Sequence, residues 1–175
     1  MPDLTIPASR VDAVVAALDA NDAAAGILPT DGLVLRIGKV AEEYGEAWAA
    51  LIGMFGQNPR KGRTHTEVDF VGELFDVALA AVVAAASLPG SRRRFRAPAA
   101  VARPVELWSG MRHLGRRIGC TLHEESDDPV RTFHDVANAA LRLAGAAVGP
   151  GVLADQFAAH VWAKTFRVVE AVDRV

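Results

Sequence analysis

Cysteine is nearly absent from this sequence: Cys120 is the one cysteine among 175 residues. A single thiol excludes a disulfide within the chain and is typical of proteins from a reducing compartment. The N-terminus also lacks a basic segment followed by an apolar run, so the sequence predicts no secretory signal. We therefore expect a cytoplasmic protein.

Long uncharged runs and a strong net charge are lacking as well. The longest stretch without a charged residue covers residues 77–91, which is too short to cross a bilayer. The formal net charge is only −2, so no overall field favours nucleic acid or a membrane surface, and we expect neither as a partner. The charge is uneven, however: residues 1–90 carry 12 acidic and 6 basic groups, whereas residues 91–175 carry 9 and 13.

Aromatic residues are few, at 6%, and sustained alternation of apolar and polar residues is absent, so no strand is predicted. Apolar residues instead recur at the spacing of a helix. The predicted fold class is all-α, an antiparallel helical bundle. The expected helices are a short one capped by Ser9, one capped by Asp31 and ending near Phe55, one capped by Thr64 or Thr66 and ending near Ser87, and three more at 104–122, 129–148 and 152–174.

Four acidic residues form two pairs on the second and third of these helices. Glu43 and Glu46 lie three residues apart, and Glu73 and Asp76 have the same spacing. Three residues turn a helix by about 300°, so each pair falls on one face. Like charges at that spacing repel each other unless something positive lies between them. Carboxylate oxygens from two helices suit a hard divalent cation such as Mg²⁺.

Two further acids lie beside these pairs. Asp69 shares a face about 60° wide with Glu73 and Asp76, whereas Glu42 is rotated by about 100° from Glu43. Asp69 and Glu42 are candidates for the outer coordination shell of the metal, with a plain surface position as the alternative for Glu42. The pair on the first long helix is predicted to point toward a cleft or a second layer, away from the main apolar stripe formed by Ile37, Val40, Tyr44, Trp48 and Leu51.

The pattern of the acids resembles that of the MazG-like all-α nucleoside triphosphate pyrophosphohydrolases. The first motif of that family, Glu-x-x-Glu with a Lys-x-x-Glu-Glu lead-in, is matched by Lys39 and residues 42–46. The second motif, Glu-x-x-Asp, is matched by residues 73–76, and the loop 56–62 looks like the connector in a subset of the family. The resemblance covers roughly residues 10–90.

The resemblance implies an activity and a set of roles. The activity is Mg²⁺-dependent hydrolysis of a nucleoside triphosphate, deoxynucleotides and non-standard nucleotides included, to the monophosphate and pyrophosphate. Glu43, Glu46, Glu73 and Asp76 would bind Mg²⁺, for which Mn²⁺ can substitute, and one of the glutamates would accept a proton from the attacking water. Family members of about half this length usually dimerise, and we expect a homodimer.

Basic residues near the motifs are candidates for binding the triphosphate. Lys39 precedes the first motif, and Arg60, Lys61 and Arg63 lie in the loop between the two acidic helices. A triphosphate bound to Mg²⁺ keeps uncompensated oxygens, which such cations can neutralise. Lys164 and Arg167 lie one turn apart on the last helix and are expected at the surface, with contact to the phosphates as the alternative.

The composition divides the whole chain into three regions. Residues 1–90 form the metal-binding helical region, residues 91–103 a basic linker, and residues 104–175 a C-terminal helical region that we expect to pack on the first as one compact domain. Segment 135–140, Asp-Val-Ala-Asn-Ala-Ala, is similar to segment 76–81, Asp-Val-Ala-Leu-Ala-Ala. The C-terminal region is therefore a candidate for a degenerate, metal-free repeat of the first.

Two other functions are compatible with the sequence. A helical nucleotide-sensing or oligomerisation module would keep the metal without turnover. The dipeptide His134-Asp135 would instead suit a His-Asp metal phosphohydrolase, with His113 or His123 and Asp155 as further ligands. Adjacent residues on a helix diverge by about 100°, so this second site needs ligands from other helices to converge on it.

Overall fold

The structure is a computed structural model that describes residues 4–91, 95–97, 106–123 and 126–172. It is all-α, as predicted, with six helices in the described part of the chain. The core lies mainly where α2, α3 and α5 pack together. The helices are α1 Ala8–Ala24, α2 Pro29–Phe55, α3 Glu67–Ser87, α4 Leu107–His123, α5 Pro129–Val148 and α6 Pro150–Val172.

α3 lies at the centre of the fold. It packs most extensively against α2 and α5, and most of its apolar side chains between Phe70 and Ala85 are buried. Its alanines let neighbouring helices approach closely, because they add little volume beyond the backbone. By length and composition α3 could cross a membrane, but 67% of that stretch is buried inside the fold. Such burial is typical of the core helix of a soluble protein.

The helix starts differ in part from the prediction. Thr66 caps α3, as one of the two predicted alternatives: its hydroxyl accepts a hydrogen bond from the N–H of Asp69, and the Asp69 carboxylate accepts one from the N–H of Thr66. The predicted caps Ser9 and Asp31 are wrong, because α1 begins at Ala8 and α2 begins at Pro29. Proline fits the first helical position, where the backbone N–H has no partner within the helix.

A short pair of strands corrects the prediction that the chain has none. Leu4–Thr5 pairs antiparallel with Arg96–Ala97. The second strand lies within the predicted basic linker, and Phe95, just before it, is buried in the core. Strands of two residues are too short to show an alternating pattern in the sequence. The linker residues 92–94 and 98–103 lie outside the described part of the chain.

The two similar hexapeptides, residues 76–81 and 135–140, are buried at the same apolar positions but differ in the burial of their aspartates. In each, the valine and two of the alanines that follow the aspartate are fully buried: Val77, Ala78, Ala81, Val136, Ala137 and Ala140. Asp76 is also buried, whereas Asp135 is half-exposed and forms an ion pair with Arg117 of α4. The similarity of the two segments therefore extends to the core but not to the surroundings of the acids.

α6 is held against α1 by a cation–π contact. The guanidinium carbon of Arg10 lies 3.2 Å from the ring centroid of Trp162, and Nη1 of Arg10 donates a hydrogen bond to the hydroxyl of Thr165. Phe157 and Val161, on the other side of α6, are buried in the core. This packing fixes the rotation of α6 about its axis, which determines the side chains that α6 presents to α3.

Candidate metal centre

Three of the four predicted ligands lie together between α2 and α3. Glu43 of α2 and Glu73 and Asp76 of α3 each offer a carboxylate oxygen, and these oxygens all lie within 4.8 Å of one another. Glu43 and Asp76 are only 6% and 7% exposed, whereas Glu73 is half-buried. Three acids so close together require positive charge nearby, because burial and mutual repulsion both disfavour their ionised forms.

The position of Glu43 corrects the predicted orientation of α2. Val40 and Ala47, one turn before and after Glu43, are fully buried, so Glu43 belongs to the stripe of α2 that packs into the core. Tyr44 and Trp48, which were assigned to the main apolar stripe, are only half-buried. The hydrophobic pattern of α2 is broad enough to suit several rotations of the helix, and contact with α3 selected one of them.

Glu43 has one paired and one unpaired oxygen. Nζ of Lys39 lies 3.0 Å from its Oε1 and 2.9 Å from Oε2 of the exposed Glu42. The Oε2 atom of Glu43 is buried without a hydrogen-bond partner. Burial raises the pKa of Glu43, and the charge of Asp76 raises it further, although the bond with Lys39 opposes both. Burial would lower the pKa of Lys39, but its bonds with Glu42 and Glu43 outweigh this effect and raise it.

Both oxygens of Asp76 are bonded to side chains of α6. Nε2 of His160 lies 2.7 Å from Oδ1, and Nζ of Lys164 lies 2.6 Å from Oδ2. Burial raises the pKa of Asp76, but the hydrogen bonds from His160 and Lys164 outweigh burial and hold the pKa below its ordinary value. Lys164 is therefore only partly at the surface, because its side chain is 39% exposed while its ammonium group contacts the buried Asp76. His160 was missed, although its spacing of four residues from Lys164 could have indicated a shared polar face.

Glu73 differs from the other two acids because it has no bonded cation. Within the part of the chain that the structure describes, its side chain forms no ion pair or hydrogen bond. Burial raises the pKa of Glu73, and the charges of Asp76 and Glu46 raise it further. Glu46 is exposed and lies outside the group of three close oxygens. The structure therefore brings Glu46 near enough to act on Glu73 electrostatically, without adding it to the cluster.

The remaining sequence candidates do not join the cluster. The carboxylate of Asp69 is exposed and is engaged at the start of α3, where Oδ2 accepts hydrogen bonds from the N–H and hydroxyl of Thr66 at 2.7 and 2.8 Å. Arg60, Lys61 and Arg63 are exposed, and none of them forms an ion pair or a side-chain hydrogen bond with another described residue. Glu42 contacts the centre only through Lys39.

The alternative ligands for a His-Asp site, His113 and Asp155 included, form no group of three potential metal ligands within the part of the chain that the structure describes. Asp135 pairs with Arg117, and the ring of His134 contacts that of Phe95 with centroids 5.4 Å apart. Among the residues whose placement is described, neither His134 nor Asp135 belongs to a group of three potential metal ligands. The side chain of His123 lies outside the described part of the chain.

A cleft lies beside the acidic cluster and is lined in part by His160, which is hydrogen-bonded to Asp76. Its volume is about 560 Å³, and it is bounded by the first half of α3, the end of α5 and the first half of α6. Gly72, next to Glu73 in sequence, lies on its floor, and a β-carbon there would come no closer than 4.0 Å to the ring of His160. Most of the other lining residues are apolar: Val68, Val71, Phe75, Ala147, Val148, Val152 and Ala159, with Glu67 and Gln156 as polar members.

The donor set fits a hard divalent cation. All three close side chains offer carboxylate oxygens, which Mg²⁺ and Mn²⁺ prefer over nitrogen or sulfur. The buried, unpartnered Oε2 of Glu43 lacks a positive or hydrogen-bonding neighbour that a bound cation would supply. The buried acidic cluster could thus bind a metal ion.

Comparison with known protein families, with curated proteins and with solved structures finds no match to this chain.

Proposed function

We propose that the protein is a Mg²⁺-dependent nucleoside triphosphate pyrophosphohydrolase, as the resemblance to the MazG-like family implies. The observation that carries the proposal is the group of three close carboxylates in which a buried oxygen of Glu43 has no partner. An all-carboxylate cluster at the edge of a cleft is the arrangement that holds Mg²⁺ for phosphoryl chemistry. Mn²⁺ can take the same place.

Glu43, Glu73 and Asp76 would hold the metal, with the nearby Glu46 as the fourth carboxylate. The bound ion supplies charge neutralisation and Lewis acidity to the triphosphate. The proton of the attacking water then needs an acceptor. Glu73 suits this role because it has no competing bond among the described residues, so that one of its oxygens is available to the water while the other contacts the metal. A water oxygen attacks the α-phosphorus, the bond to the bridging oxygen breaks, and pyrophosphate leaves.

The cations around the cluster have a second role in this proposal. Lys39 and Lys164 hold carboxylates in the absence of metal, at 3.0 and 2.6 Å. When a metal and a triphosphate enter, the same ammonium groups can pair with phosphate oxygens, because a lysine side chain is long and flexible. Arg60, Lys61 and Arg63 are close in sequence to α3 and remain candidates for the outer phosphates.

The cleft at His160 is the proposed place for the nucleoside part of the substrate. Its volume of about 560 Å³ falls within the range of small-molecule sites, and its lining combines apolar walls with a few polar groups. His160 lines the cleft and is hydrogen-bonded to Asp76 of the cluster, so it connects the two. A second cavity, of about 590 Å³ and lined by Trp48 and Phe55, opens on a different face of α2 from Glu43.

Release of pyrophosphate from a panel of nucleoside triphosphates, with and without Mg²⁺, tests the proposal. The wild type should release pyrophosphate only with metal, and Asp76→Asn should abolish the reaction without loss of helical circular dichroism. Asp31→Asn, which removes an exposed acid from the first turn of α2, is the matched control and should keep full activity. Wild-type turnover by Asp76→Asn would contradict the proposal.

The alternative is a nucleotide-sensing or oligomerisation module without turnover. It is favoured by the bonds that already occupy both oxygens of Asp76, because such a network can stabilise a fold without a metal. Equilibrium binding of a triphosphate without release of pyrophosphate would support this alternative over the enzyme.

We also propose that the protein acts in the cytoplasm as a homodimer. Exposed apolar side chains lie along α2 and at the start of α4, and burial in a dimer would remove them from water. Sedimentation at micromolar concentration tests the dimer, and a fully active monomer would contradict it. The exposed residues concerned are Val34, Leu35, Ile52, Phe55 and Trp108.

A further inference from the structure

A small cleft between α4 and α5 has a composition unlike that of the metal centre. Its volume is about 80 Å³, and one water molecule accounts for roughly 30 Å³ of liquid. The space therefore suits a small tetrahedral oxyanion. None of its lining residues belongs to the metal centre or to the cleft at His160: they are His113, Arg117, Asp135, Asn138, Ala139 and Arg142.

The cleft has an excess of positive charge. Arg117 and Arg142 both line it, and Asp135 is its one carboxylate. Asp135 is 3.4 Å from Nη1 of Arg117, and both side chains are more than two-fifths exposed, so this ion pair contributes little. Arg142 forms no ion pair or hydrogen bond with any other described residue. A guanidinium has five N–H donors, so Arg117 keeps several for a ligand while it contacts Asp135.

Asn138 supplies a further hydrogen-bond donor to the cleft, its amide nitrogen. Its Oδ1 atom is buried without a hydrogen-bond partner, and its side chain makes no hydrogen bond within the described residues. This oxygen is an acceptor, so the partner that it lacks is a donor such as a water molecule and not an anion. Because Asn138 lines the cleft, an anion bound there could accept a hydrogen bond from its amide nitrogen.

His113 reports the electrostatic potential in the cleft. Burial lowers the pKa of His113, and the positive charges of Arg117, Arg116 and Arg142 lower it further. Three arginine charges that act on one imidazole indicate a positive potential at this place, which favours an anion.

Asp135, which lines the cleft, corresponds to Asp76 of the acidic cluster in the sequence repeat. Asp135 begins the hexapeptide that is similar to the one beginning at Asp76. Acids from α2 and α3 lie close to Asp76, whereas arginines from α4 and α5 line the cleft that contains Asp135.

We propose that this cleft binds a phosphate-sized oxyanion, held by the guanidinium groups of Arg117 and Arg142 and by the amide of Asn138. Arginine matches the geometry of phosphate oxygens because its planar group donates two parallel hydrogen bonds. The oxyanion is either inorganic phosphate or the phosphoryl group of a nucleotide. This proposal does not depend on the proposed enzymatic activity.

Isothermal titration calorimetry of the full chain with inorganic phosphate tests the proposal. A chelator is present so that the metal centre cannot contribute, and sodium chloride at the same ionic strength is the reference titrant. We expect saturable binding of one phosphate, weakened at least tenfold in Arg142→Gln and in Arg117→Gln. Arg131→Gln is the matched control, because Arg131 is an exposed arginine of α5 outside the cleft. It should bind phosphate like the wild type.

A titration with AMP distinguishes the two sources of the anion. Tighter binding of AMP than of phosphate, lost in Arg142→Gln, assigns the site to a nucleotide, whereas equal affinity assigns it to inorganic phosphate. The NMR signals of the His113 ring, identified by their absence in His113→Gln, should shift in step with either titration. Absence of saturable binding at millimolar ligand would overturn the proposal, as would equal weakening by Arg142→Gln and Arg131→Gln.

Discussion

Nζ of Lys164 lies 2.6 Å from Oδ2 of Asp76, so the last helix supplies a cation to a carboxylate on α3. The lysine occupies one of the oxygens that a divalent ion needs. It therefore stabilises the cluster, and under the proposed function it would compete with a metal ion for the same carboxylate.

Replacement of this lysine should separate the two effects. We expect Lys164→Gln to lower the stability of the metal-free protein by about 1 kcal/mol, because a hydrogen bond between charged groups is lost but the lysine is 39% exposed. The same variant should bind Mn²⁺ more tightly, since a competitor is removed. Lys61→Gln, in an exposed loop, is the control. Unchanged Mn²⁺ affinity in calorimetry would show that Lys164 does not compete with the metal.

Divalent metal should raise the melting temperature of the wild type. A ligand that binds only the folded state stabilises it by mass action, by about 2.7 kcal/mol at a concentration 100 times its Kd. Glu43→Gln should reduce the shift, because it removes a ligand whose second oxygen is buried without a partner. Differential scanning fluorimetry with millimolar Mg²⁺ or Mn²⁺ measures this shift. A melting curve that metal leaves unchanged would argue against any metal site between α2 and α3.

The stability of the metal-free protein should depend on pH through Glu73. Its folded pKa is raised above the ordinary value of 4.5, by burial first and then by Asp76 and Glu46. As pH rises from 4.5 to the folded pKa, the unfolded chain releases this proton before the folded one does, so the free energy of unfolding falls. Glu73→Gln should make that fall smaller in urea melts across pH 4.5–7.5. An identical pH profile in the variant would contradict the raised pKa.

Asp69 should contribute to stability and not to metal binding. Its carboxylate forms the capping box with Thr66 and is exposed. We expect Asp69→Ala to lower the melting temperature, because the first turn of α3 loses a hydrogen-bond acceptor for its free N–H groups. The increase in melting temperature on addition of Mg²⁺ should equal that of the wild type. A smaller increase in the variant would indicate that Asp69 contributes to metal binding.

The local properties of this protein could be predicted from its sequence. Helical periodicity predicted the all-α class, and the ends of α2 and α3 at Phe55 and Ser87 agree with the structure. The three-residue spacing placed Glu73 and Asp76 on one face of α3, because that spacing fixes a relative angle whatever the helix packs against. Thr66 was recognisable as a cap for a similar reason, since its partner Asp69 is only three residues away.

Only the tertiary structure determines which of the charged side chains come into contact. Glu43 is buried and Glu46 exposed, although both belong to one motif, because the contact of α2 with α3 fixed a single rotation of α2 among those that its apolar residues allow. His160 and Lys164 reach Asp76 from more than 80 positions away in the chain. No local sequence pattern predicts these contacts. They result from the packing of α6 against the core and against α1, where Arg10 and Trp162 stack.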